Sequence, residues 1–134
     1  MSAERLLVLD ASLNRRLANE LKGRGRRAVA GGEIGLGRAG DAELIRGLAR
    51  RYADEEWVLV TGDDHLPAEQ AGLLEALGIT VATIEWRLNP APDGREQAAR
   101  DTCHRWAHAM AAQGAGTIRR YSPERNRAWT PRLR

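Results

Sequence analysis

Four aspartates stand where the local pattern of the chain changes. Asp10 ends the apolar run LLVL at residues 6–9, and Asp63 and Asp64 follow WVLVT at 57–61. Asp41 opens a stretch whose apolar residues Leu44, Ile45, Leu48 and Ala49 share one helical face. Carboxylates held a few ångströms apart repel, and at neutral pH they stay ionised together only beside a cation. Oxygen ligands of this kind suit a hard divalent ion, Mg²⁺ or Mn²⁺. Each residue also has a plainer role. Asp41 is a good helix N-cap, and Asp63 with Asp64 makes an ordinary turn after Gly62. Asp10 is harder to dismiss, because a lone carboxylate at the mouth of a buried run needs a partner.

The elements that must position these residues are legible from periodicity. LLVL, WVLVT and ITVATIEW (79–86) have the length and residue types of strands buried on both faces. Leu13, Leu17 and Leu21 recur every four residues, predicting a helix capped by Ser12 and stopped near Gly23 and Gly25. Residues 27–30 make a short strand, and GGEIGLGRAG (31–40) a glycine-rich connection. Pro67 fits the first turn of another helix, which Gly78 stops. A further helix over about 95–112, capped by Asp93, turns Ala99, Thr102, Cys103, Trp106 and Met110 inward. Residues 117–121 read as a last strand, and residues 122–134 lack periodicity. Strands alternating with helices predict an α/β three-layer sandwich with a mainly parallel sheet. Ligands of such sheets sit beyond the carboxyl ends of the strands, where Asp10 and Asp63 fall. A right-handed crossover brings the start of the next helix, and so Asp41, to the same edge.

Composition narrows the class. The chain has 134 residues, 43% hydrophobic and 29% charged, which suits one domain with its own core. No apolar run approaches the roughly 18 residues of a membrane span, and no secretion signal is expected after Met1. Cys103 is the only cysteine, which excludes an internal disulfide and fits a reducing cytoplasm. Charge is uneven. Residues 119–134 carry six arginines against Glu124 alone, +5, and residues 1–118 carry 15 basic and 17 acidic side chains, −2. The expected organisation is therefore a domain over 1–118 followed by a basic tail over 119–134. Tyr121 and Trp129 among those arginines suit single-stranded RNA or an acidic partner. His104 and His108 lie one helical turn apart but lack the glutamate of a zinc-protease motif. The glycine-rich connection lacks the GKS/T of a phosphate loop.

VLDASLNRRLANEL, IGLGRAGDAELIRGLA and WVLVTGDDHL together resemble the PIN-like ribonuclease domains, especially the short VapC-type toxins. The matching features are Asp10 with Ser12, Asp41 within DAELI, and Thr61 with Asp63, over about residues 5–66. The family commonly places another Asp two positions after TxD, where this chain has His65. Larger members also carry a glutamate on an intermediate helix, for which Glu43 or Glu33 would have to substitute. The resemblance implies a metal-dependent ribonuclease, the toxin of a bacterial toxin–antitoxin pair. Asp10, Asp41 and Asp63 would be metal ligands and catalytic, and Asp64 an auxiliary acidic group. Ser12 and Thr61 would bind the site or the phosphate, Arg15 and Arg16 flanking phosphates, and His65 the leaving-group side. The implied partners are RNA and a cognate antitoxin, with room for a homodimer and none for a membrane. From a different class comes a non-catalytic binding module that docks RNA or a protein through the basic tail.

Overall fold

The computed structural model describes residues 4–31, 40–85 and 92–131. The elements run β1 (Leu6–Leu9), α1 (Arg15–Gly23), β2 (Ala28–Ala30), α2 (Asp41–Arg51), β3 (Trp57–Thr61), α3 (Leu66–Glu69), α4 (Ala71–Leu77), β4 (Val81–Ile84), α5 (Pro92–Ala111), β5 (Ile118–Tyr121) and β6 (Asn126–Ala128). The strands form one sheet in the order β2-β1-β3-β4-β5-β6. The first five are parallel, and β6 returns antiparallel to β5.

Strand alternation divides the core into two layers. Leu7, Leu9, Val58, Val60, Ala82 and Ile84 face α1 and α5, which contribute Leu17, Leu21, Cys103 and Met110. Val8, Trp57, Leu59 and Val81 face the opposite side, against Leu44, Ile45, Leu48, Leu66 and Leu74 of α2 to α4. Burial on both faces is why these strands read as unbroken apolar runs rather than alternating ones. The chain is thus an α/β sandwich with helices on each side of a mostly parallel sheet. Among the described residues, no helix is long and apolar enough to cross a membrane.

Several boundaries differ from the sequence expectation, each for a local reason. Helix α1 is capped by Asn14, whose side chain accepts from Arg16 N at 2.9 Å, because the Ser12 hydroxyl is engaged elsewhere. Asp41 is the first helical residue and Gly40 the N-cap, so the Asp41 carboxylate makes no cap bond. The helix after Asp63 breaks into α3 and α4 at Gln70, and Gly78, at φ 64°, ends it in the left-handed region that glycine tolerates. The division drawn at 118/119 cuts through β5. Residues 119–121 are sheet, and the unpredicted β6 follows after a turn in which the Ser122 hydroxyl accepts from Arg125 N at 3.0 Å. Most of the expected tail is therefore part of the domain. Residues 32–39 of the glycine-rich connection, including Glu33, lie outside the described residues, as does the Asp93 side chain.

Candidate acidic site at the carboxyl edge of the sheet

The connections from β1 and from β3 leave in opposite directions across the sheet, β1 to β2 and β3 to β4. Adjacent strands that part in this way open a crevice at their carboxyl ends. Asp10 and Asp63 occupy that crevice. Leu9 pairs with Val60, and Asp10 N continues the ladder by donating to Val60 O at 3.0 Å. Asp10 therefore stands beside Thr61, on the face shared with α2.

Asp10 is only 6% exposed. Its carboxylate accepts from Ser12 N at 3.0 Å and from the Ser12 hydroxyl, which in turn accepts from Gly62 N at 2.8 Å. Burial raises the Asp10 pKa. Hydrogen bonds from Ser12 and Thr61 oppose that rise, and the nearby Asp41 charge adds to it. Asp10, Ser12 and Thr61 thus knit the end of β1 to the end of β3, and Asp10 is coupled to the next group of carboxylates through Asp41.

That group is Asp41, Asp63 and Glu69, which can bring one carboxylate oxygen each within 4.8 Å of one another. Asp41 starts α2. Asp63 is fixed by its own turn, donating from its N to Thr61 Oγ1 at 3.0 Å and accepting from His65 N at 2.9 Å. Glu69 ends α3, where its N donates to His65 O at 3.0 Å, a single helical turn that folds its side chain back over the Asp63 loop. Burial, then Asp63, then Glu69 push the Asp41 carboxyl pKa up. Three convergent carboxylates can hold a divalent metal ion.

The remaining sequence candidates fall in different places. Asp64 points away from the cluster and pairs with Arg120 through Nε to Oδ1 and Nη2 to Oδ2, each at 2.8 Å. It also accepts from Thr83 Oγ1 at 3.1 Å. An acidic group committed to this pair is not presented beside Asp63 as the sequence expected. His65 contributes its backbone to the turn and is the cap residue of α3. Arg15 is exposed on α1. Arg16 lines a groove of about 540 Å³ between α1 and α5, together with Ser12, Leu13 and Leu17, the acidic Glu20 and Glu96, and Arg95 and Arg100, of which Arg100 pairs with Glu20 at 2.8 Å. Glu43 is exposed and is not one of the convergent three. His104 and His108 bind no common centre: they lie 3.6 Å from Glu20 and 3.2 Å from Glu4.

Two features escaped the sequence. Glu69 sits on a helix of four residues, too short for periodicity to mark, although its distance from Pro67 was the available clue. The second is a buried polar row across the carboxyl edge: Thr61 is paired with Thr83, and Thr83 with Arg120. No protein-family model, no curated protein and no solved structure matches the chain.

Proposed function

We propose that this chain is a PIN-like ribonuclease that hydrolyses RNA phosphodiester bonds with Mg²⁺ or Mn²⁺, acting in the cytoplasm as the toxin of a toxin–antitoxin pair. The observation that carries the catalytic reading is the convergence of Asp41, Asp63 and Glu69 within 4.8 Å at the crevice of a parallel sheet. The toxin role rests on the resemblance of residues 5–66 to the VapC-type domains.

Asp41, Asp63 and Glu69 would hold the cation directly or through water. When bound, it supplies a Lewis acid that lowers the pKa of a coordinated water and offsets charge on the scissile phosphate. Asp10 would act from behind this set. Its hydrogen bonds to Ser12 and Thr61 fix the two strand ends, and the Asp41 charge reaches it from the cluster. Ser12 also lines the groove beside α1, so a strand crossing the acidic centre can continue along Arg16 and Arg95 past Leu13 and Leu17. Arg16 and Arg95 would there offer charge to backbone phosphates, with Glu20 and Glu96 of the same groove opposing it.

Docking through the tail has less support. Arg119 donates to Asn126 at 2.7 Å, Arg120 pairs with Asp64, and Arg127 pairs with Glu85 at 2.6 Å, so three tail arginines serve the fold itself. The test is RNA degradation by the purified chain in Mn²⁺ or Mg²⁺, with and without chelator, beside Asp63→Asn and Glu69→Gln. Cleavage by wild type alone, abolished by chelation, supports the proposal. Equal cleavage by all three proteins, or none by any across several RNAs, counts against it.

A further inference from the structure

The Asp63 turn faces two ways. On one side Asp63 meets Asp41 and Glu69, with one carboxylate oxygen of each within 4.8 Å of the others. On the other side the next residue, Asp64, is gripped by a set of contacts. Arg120, 3% exposed, holds its carboxylate with both prongs of the guanidinium, and Thr83 adds a hydroxyl. The indole Nε1 of Trp129 donates to the Asp64 backbone carbonyl at 3.1 Å, and the Trp129 ring lies 5.7 Å from the Arg120 guanidinium carbon. Arg120 Nη2 also donates to Thr130 O at 2.7 Å, which ties the segment after β6 to the same point. A buried arginine is retained at such a site only where its donors are satisfied, and here the acceptors come from the Asp63 turn and the segment after β6.

We propose that Arg120 is a positioning residue for the acidic centre: through Asp64, and with Trp129, it holds the 62–66 turn so that Asp63 meets Asp41 and Glu69 against their mutual repulsion. Thus the arginines after residue 118 include one that serves the site from within, 56 residues from its partner in sequence. The metal consequence of this role rests on the proposed function. The mechanical one does not.

The experiment uses the full chain as wild type, Arg120→Met, Arg120→Lys and Trp129→Phe. It reads amide hydrogen exchange, Mn²⁺ affinity by titration calorimetry, and thermal unfolding. The amides of Gly62, Asp63, His65 and Leu66 are hydrogen-bonded within the turn or to Ser12, and they report on it locally. The Asp10 and Leu59 amides, bonded to Val60 O and Thr80 O, report on the sheet. Arg120→Met should speed exchange in the turn at least about tenfold more than in the sheet, and weaken Mn²⁺ binding about tenfold or more, as loss of a group that orients a ligand does. Arg120→Lys keeps the charge without the fork and should fall between. Trp129→Phe keeps an aromatic ring, though a smaller one, and removes one donor, and should speed the turn about fivefold. It stands in for Arg120→Met if that variant does not fold.

Uniform acceleration of turn and sheet together, with unchanged Mn²⁺ affinity, overturns the proposal and leaves Arg120 a general stabiliser. Should wild type bind no Mn²⁺, the nuclease reading falls, and the exchange pattern alone decides: acceleration confined to the turn upholds the role of Arg120, and uniform acceleration removes it.

Discussion

Replacing Asp63 by asparagine should stabilise the metal-free chain and destroy its response to metal. Asparagine keeps the oxygen that accepts from His65 N, so the turn survives and only charge is lost. Two unit charges 4.8 Å apart, the outer limit within the cluster, repel by about 0.9 kcal/mol in water and about 3.5 kcal/mol at an effective dielectric of 20. Glu69 is exposed and the other two are half-buried, so the lower figure governs, further reduced by salt. Losing both repulsions should therefore gain about 1–2 kcal/mol, or roughly 3–6 °C in melting temperature for a domain of this size. Saturating Mn²⁺ at a hundred times its dissociation constant should stabilise wild type by about 2.7 kcal/mol and the variant far less, inverting their order. Thermal melts in chelator and in Mn²⁺ measure both effects, with Glu69→Gln as the matched control. A lower melting temperature for Asp63→Asn in chelator would refute the repulsion argument. An equal metal shift in all proteins would remove Asp63 and Glu69 from the ligand set.

The pH dependence stems from Asp10 and Asp41, both raised above the ordinary aspartate value of 3.8, chiefly by burial. The folded state then holds protons more tightly than the unfolded one, so these groups weaken stability as pH rises from 3.8 through their folded values. The stability advantage of Asp41→Asn over wild type in chelator should accordingly shrink as the solution is acidified. Urea melts showing an advantage independent of pH would contradict this. Arg16→Ala should weaken RNA binding in chelator and lower the salt slope by about 0.7, one phosphate contact on a single strand; an unchanged slope would take the α1–α5 groove out of the substrate path. Tyr121→Phe should cost about 1–2 kcal/mol, because the Tyr121 hydroxyl donates to Gln113 Oε1 at 2.8 Å in a fully buried position while Gln113 Nε2 bonds Val81 O. Equilibrium unfolding within error of wild type would show that the amide finds another donor.

How far the sequence reached depended on the range of the interaction. The buried strands β1 and β3 and the helix from Asp41 were legible because their signals are local: a run of apolar residues, or a face repeating every three to four. The edge positions of Asp10, Asp41 and Asp63 followed from those elements and the handedness of crossovers. Glu69 did not, since a single helical turn has no period to detect. Asp64 resembles one more acid for the site because its partner, Arg120, is remote in the chain and sits in a stretch that reads as a tail. Strand β6, with sequence NRA, carries no apolar alternation; only its ladder with β5 makes it a strand. Ser12 has the residue type of a cap, and the structure engages it instead with Asp10 and Gly62.

The distance in sequence between the acidic turn and its brace has a consequence for biosynthesis. Trp129 follows Asp64 by 65 residues, an interval of about 3 to 13 seconds on a translating ribosome. For most of that time the nascent chain carries β1, α1, α2 and β3 without Arg120, which follows Asp64 by 56 residues, and for all of it the chain lacks the indole. The carboxylates thus emerge well before the groups that restrain their turn, and the newly made domain spends its first seconds with that edge unfastened.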